Sequence, residues 1–191
     1  MPQLYMILLG CRPEGRHTEQ HDVFFGIADS MEELVPAMNL FWPEAKGKLH
    51  VDAWREVRRV GGYPIEAVLA TDAPPDNGFA LFFINLGGYK PGEFEEFHYK
   101  MLVAAADKGE AVRQAKGTAF FQHTGFKGAT AHVDDKWGVD VDDVYDIRDI
   151  LPAEMKRRYR VMIRPAAEEG LEDEMHLGYL KLEKLVNGSC E

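Results

Sequence analysis

An α+β protein of two tandem β-β-α-β-β units, related by a pseudo-twofold axis, is predicted by two features of the sequence. The first is an internal repeat. Leu4-Tyr5-Met6-Ile7-Leu8-Leu9-Gly10 is matched 77 residues later by Leu81-Phe82-Phe83-Ile84-Asn85-Leu86-Gly87, and Leu4, Ile7, Leu9, Gly10, Gly15, Glu19, His21, Ala28 and Glu33 all recur at that offset. The second is the order of patterns within each copy, in which apolar runs of strand length bracket one helical segment. A period this long with only two copies does not suit a solenoid. The expected architecture is therefore a mainly antiparallel sheet system with helices packed on one side. Its expected divisions are residues 1–75, residues 76–165 and an acidic tail over 166–191.

Each copy opens with a run of aromatic and branched residues that ends in Gly, the pattern of a buried strand. Loops containing Pro and Gly follow, Gly10 to Gln20 and Gly87 to Glu96. Second strands are expected over Asp22 to Ala28 and Tyr99 to Ala105. The helices should begin at capping boxes, Ser30 with Glu33 and Asp107 with Glu110, where a short polar side chain accepts a free backbone N–H and the Glu reaches back. That structural role removes Glu33 and Glu110 from the catalytic candidates. Pro36 should kink or shorten the first helix, and the second should be longer.

Leu49-His50-Val51-Asp52-Ala53-Trp54 alternates, so His50 and Asp52 project from one face of a strand. Ala131-His132-Val133-Asp134 spells the same pattern at an offset of 82. Tyr63 to Ala70 reads as a further strand, with Val144 to Ile147 or Tyr159 to Ile163 as its counterpart. Thr71 to Gly78, with Pro74-Pro75 at its centre, is the linker. A helix is expected around Pro152 to Arg158, and Leu177 to Leu182 can add an edge strand.

These stretches resemble an uncharacterised bacterial family, domain of unknown function 1543, present here as a tandem duplication. The residues that carry the resemblance are Leu9 to Gly15, the Glu-x-His entries to the second strands, the His-Val-Asp segments, Asn85 to Tyr89 and His123 to Gly128. The resemblance implies no reaction, cofactor or catalytic residue.

Composition narrows the function classes. The chain has 191 residues, 46% hydrophobic and 28% charged, as in an ordinary globular protein. A formal net charge of −10 disfavours a broad grip on nucleic acid or on an anionic membrane. Cys11 and Cys190 are too few for a disulfide framework and suit a reducing cytoplasm. No run approaches the ~20 apolar residues of a membrane-spanning helix.

The candidate site is a set of polar residues that recurs. Glu19 and His21 point the same way if extended, as do His50 and Asp52. Neighbouring strands would bring two imidazoles and two carboxylates together, enough to ligate a divalent metal or to support acid–base chemistry. The second copy offers Glu96, His98, His132 and Asp134. Arg12, Arg16 and His17 could hold an anion and favour the first copy if only one keeps a site. Asp134 to Asp143 does not fit a calcium-binding EF-hand loop. Cys11 lacks a placed His partner, and no nucleophile elbow is present. The polar residues can also be read as structural hydrogen-bonding pairs.

The leading expectation is a non-catalytic cytoplasmic binding or interaction module for a small molecule or protein, monomeric or homodimeric, with no resident cofactor. The alternative is a small metal-binding protein or a hydrolase-like acid–base enzyme using Glu19, His21, His50 and Asp52, which requires those four side chains to converge.

Overall fold

The computed structural model describes residues 1–89, 92–123, 139–164, 170–171 and 173–186. It is α+β with antiparallel sheets and few helices. By contact the chain falls into two compact units, 1–75 with 151–191, and 76–150.

The first unit opens with β1 (Gln3–Cys11) and β2 (Gln20–Ala28), paired antiparallel. Alternation along β1 puts Tyr5, Ile7, Leu9 and Cys11 on one face, where they meet Phe24, Leu34, Val35, Met38 and Val51 in a core. After β2 comes a 3-10 turn, Glu32–Leu34, leading into α1 (Val35–Phe41). Pro36, expected to kink or shorten this helix, stands in a helix of only seven residues. It lies in the first turn, where the missing N–H has no intrahelical acceptor to lose and the fixed φ already suits a helix.

The expected capping box at Ser30 does not form, because the 3-10 turn displaces the helix start. Glu33 Oε2 instead accepts from the Asp29 backbone N–H at 3.4 Å.

The chain continues through β3 (His50–Val57), β4 (Arg59–Val60) and β5 (Tyr63–Leu69). Leu151 onward returns to this unit. α4 (Ala153–Arg158) begins after Pro152, β9 (Tyr159–Ile163) pairs with β5, and β10 (His176–Lys181) pairs with β3 before α5 (Leu182–Val186). The main sheet has the order β10-β3-β1-β2, and a smaller one the order β4-β5-β9. Leu182 and Leu185 of α5 join the same core as α1, so these helices pack on one face of the main sheet. Tyr159 to Ile163 is thus not the last strand of a second β-β-α-β-β unit.

The second unit contains β6 (Ala80–Tyr89), β7 (Glu96–Ala105), α2 (Lys108–His123), β8 (Val139–Asp146) and α3 (Ile147–Ile150). Its sheet order is β7-β6-β8, so the described residues form β-β-α-β-α with three strands. Phe82, Ile84 and Leu86 share a core with Ala111 and Ala115 of α2. Here the capping arrangement does form. Asp107 Oδ1 accepts from the Glu110 N–H at 2.8 Å, and Glu110 Oε2 reaches back to the Ala106 N–H at 3.0 Å. Asp107→Ala should lower the stability of this unit by about 1 kcal/mol, read by urea unfolding.

The His132-Val133-Asp134 segment lies outside the described residues. The strand that pairs with β6 on the side opposite β7 is Val139–Asp146. Gly15 and Gly92, equivalent loop positions by the repeat, both take left-handed φ, 80° and 81°, which explains why each is glycine.

Candidate functional site

Strand register builds the site. Gly10 on the central strand β1 is paired with His21 on β2 and with His50 on β3. Strands lie about 4.8 Å apart, so residues on the two flanking strands are held about 10 Å apart across the central one. A glycine between them leaves an open floor over which their side chains can lean together. A β-carbon at Gly10 would overlap both Asp52 Oδ2 and His50 Nε2.

Asp52 reaches this point because it is the extra residue of a β-bulge. Register on β1 steps from Leu8 opposite Ala53 to Leu9 opposite Val51, and β10 also skips between its pairings with Ala53 and Val51. Bulges re-aim side chains in this way. Alternation sends Leu9, Cys11 and Val51 into the helix-covered core, so Gly10, His50 and their neighbours use the opposite face.

Four side chains meet there. His50 Nε2 lies 3.0 Å from Glu19 Oε1 and 3.3 Å from Asp52 Oδ2. His21 Nε2 lies 3.2 Å from the same Asp52 oxygen and 3.9 Å from Glu19 Oε2. The group grades from closed to open: the His50 side chain is 6% exposed, Asp52 24%, His21 40% and Glu19 46%. His50 Nε2 and Asp52 Oδ2 are both buried, and neither makes a hydrogen bond. Tyr179, in the bulged stretch of β10, covers the inner imidazole with ring centroids 4.3 Å apart.

The structure therefore brings together all four first-copy residues singled out in the sequence. Arg12, Arg16 and His17 lie exposed on the loop leading to Glu19, and Arg16 closes a turn through its N–H to the Pro13 carbonyl at 3.2 Å. In the second unit Glu96 and His98 meet Asp142, while the expected His132 and Asp134 lie outside the described residues. His98 Nε2 is 3.4 Å from Asp142 Oδ2 and 4.0 Å from Glu96 Oε2.

Sequence reasoning missed Gly10, Tyr179 and Asp142. Of these, Asp142 left a signal: Asp140-Val141-Asp142 keeps the x-Val-Asp spelling of His50-Val51-Asp52 at an offset of 90. Cys11 is not placed as a nucleophile. It is buried, and its thiol is raised above the usual range by that burial and by the nearby Glu19 carboxylate.

A separate cleft of about 360 Å³ lies by Glu56, Arg58, Asp173, Glu174 and His176. Its charged groups are largely engaged. Arg58 pairs with Glu56, Asp173 Oδ2 accepts the N–H groups of Arg58 and Arg59 at 3.0 and 3.1 Å, and His176 stacks on Trp54.

Residues 16–67, which include all four side chains of the first-unit cluster, match the model of Domain of Unknown Function (DUF1543). No curated protein matches the sequence. Among solved structures, protein Il1583 from Idiomarina loihiensis is similar, with a TM-score of 0.64 and 22% identity over 95% of this chain and 99% of that one. At that identity the likeness is one of fold. Among the described residues, no helix is long and apolar enough to cross a membrane.

Proposed function

We propose that the protein is a divalent-cation-binding module whose first unit holds a zinc-class ion between Glu19, His21, His50 and Asp52. The observation that carries this reading is the pair of buried, facing atoms His50 Nε2 and Asp52 Oδ2, 3.3 Å apart and both without a hydrogen bond. Each also stands at ion-pair distance from a second group, Glu19 Oε1 at 3.0 Å and His21 Nε2 at 3.2 Å, yet none of these contacts has hydrogen-bond geometry, and a cation among the four would satisfy polar atoms that are otherwise costly to bury. Ligands at about 2.05 Å from a tetrahedral ion lie about 3.3 Å from one another. Three separations lie near that edge, 3.2 and 3.3 Å from Asp52 Oδ2 to the two imidazoles and 3.0 Å from His50 Nε2 to Glu19 Oε1, while His21 Nε2 and Glu19 Oε2, at 3.9 Å, would have to draw in around the ion. Two imidazoles with two carboxylates is a donor set that zinc accepts.

Each residue has a separate task. His50, enclosed by the sheet and Tyr179, anchors the inner side of the cluster. Asp52 bridges the two imidazoles. His21 and Glu19 form the solvent side, and the loop leading to Glu19 carries exposed Arg12, Arg16 and His17, whose two guanidinium groups would attract an anionic ligand in a chain of net charge −10. A bound zinc-class ion would contribute Lewis acidity at the open side. The two units are read as copies of one ancestral β-β-α-β element, supported by the shared glycine, Glu-x-His and bulge positions. A cytoplasmic setting is supported by the sparse cysteines.

Elemental analysis of untagged protein purified without chelator tests this. Near-stoichiometric metal is expected in the parent, with loss from a His21→Ala/His50→Ala variant that exceeds the roughly 10–100-fold weakening typical of removing a supporting residue. Asp52→Asn separates the readings further. Its amide can donate to an imidazole nitrogen, so a purely structural network would survive, whereas the cation site should be lost. Zinc at 100 times its Kd should stabilise the parent by about 2.7 kcal/mol and leave Asp52→Asn unchanged. Equal metal content in the parent and both variants would sink the proposal.

A further inference from the structure

We propose that the second unit carries its own cation site, formed by Glu96, His98 and Asp142, and that it takes a harder cation of the Mn²⁺ or Mg²⁺ class. Each of the three residues offers one ligand atom, and these atoms all lie within 4.8 Å of one another. The scaffold uses the same devices as the first unit. Gly87 on the central strand is paired with His98, as Gly10 is with His21. Register on β6 steps from Asn85 opposite Asp143 to Leu86 opposite Val141, which makes Asp142 the bulged residue, as Asp52 is. A β-carbon at Gly87 would lie 2.5 Å from Asp142 Oδ2. A mixed imidazole–carboxylate cluster over a side-chain-free floor, built twice from the same register, is a specific arrangement and not a chance meeting of surface acids.

The chemistry differs between the units in two respects. The backbone position opposite the central glycine on the third strand is His50 in the first unit and Asp140 in the second, so the inner imidazole has no counterpart at that place. The ligand side chains are also open, 40% exposed for Glu96, 36% for His98 and 33% for Asp142, against 6% for His50. One imidazole and two carboxylates with room for water suit a cation that prefers oxygen ligands and retains part of its hydration. This second site shares with the first the reading that a glycine-floored cluster binds a cation, and it adds a second, chemically distinct occupant.

Titration of Mn²⁺ into the full-length, chelator-stripped and zinc-loaded chain tests this, with free Mn²⁺ read by its electron paramagnetic resonance signal. One Mn²⁺ per chain is expected in the parent. His98→Ala, Asp142→Asn and Gly87→Ala should each weaken it at least tenfold, with zinc stoichiometry unchanged. These ligands are exposed, so the folded state should persist, and circular dichroism checks that it does. Absence of Mn²⁺ binding in the parent would overturn the proposal. So would binding unaffected by these variants, or Mn²⁺ binding that is lost only in His21→Ala/His50→Ala. Failure of the first-unit reading is seen separately, as zinc missing from the parent.

Discussion

Gly10→Ala should abolish metal binding while leaving a folded protein. The added methyl group would overlap Asp52 Oδ2 and His50 Nε2. Both atoms are the far ends of side chains, so they can swing away without moving the backbone, but the space in which they converge is then filled. The expected loss of affinity is as large as that from removing a ligand, although no ligand has been changed. The stability change should stay within about 1–3 kcal/mol, the range for one extra methyl group in a tight space. Zinc titration beside urea unfolding reads both quantities. Retained zinc stoichiometry in Gly10→Ala would mean that the four side chains do not share an ion over this glycine.

Leu9→Ala, one residue earlier, should do the opposite. Leu9 is fully buried on the helix-covered face of β1, in the cluster that holds Phe24, Leu34 and Met38. Truncating a buried leucine costs about 2–5 kcal/mol, from lost burial and from the cavity left behind. The metal ligands stand on the other face and keep their geometry in the folded fraction, so zinc stoichiometry at low temperature should match the parent. Adjacent residues with opposite effects, stability for Leu9 and binding for Gly10, follow from the alternation of a strand between a core and a site.

The pairing of Glu19 with His21 and of His50 with Asp52 was legible in the sequence, whereas the alternation that separates Leu9 from Gly10 was not, because Leu4 to Leu9 is apolar throughout. Spacing of two on an extended segment suggests a common face, but here Glu19 precedes β2 and Asp52 owes its direction to the bulge. Their meeting depended on something spacing does not encode, which is the register of three strands around Gly10. The role of that glycine as a floor therefore emerged only once β2 and β3 were placed on either side of it. Tyr179 was out of reach for the same reason, since β10 arrives from beyond the second unit to pair with β3.

The strand that pairs with β6 carries Asp140-Val141-Asp142, where only Val and Asp of His50-Val51-Asp52 persist, and the full letter match, His132-Val133-Asp134, lies outside the described residues. The sequence pattern sets Pro36 a turn and a half into its helix, whereas the 3-10 turn moves the helix start and puts it in the first turn of a seven-residue helix. Tyr159 to Ile163 is one of two alternatives for the counterpart of β5, and its partner is β5 itself, in the first unit, while the other, Val144 to Ile147, falls on β8 and the start of α3.

The most direct measurement is a crystal structure of the chelator-free protein with anomalous data collected at the zinc edge. The account predicts a peak between His21 Nε2, His50 Nε2 and Asp52 Oδ2, at about 2.0–2.2 Å from each. An anomalous map with no peak there, in protein crystallised with excess zinc and with direct hydrogen bonds joining the imidazoles to the carboxylates, would contradict it.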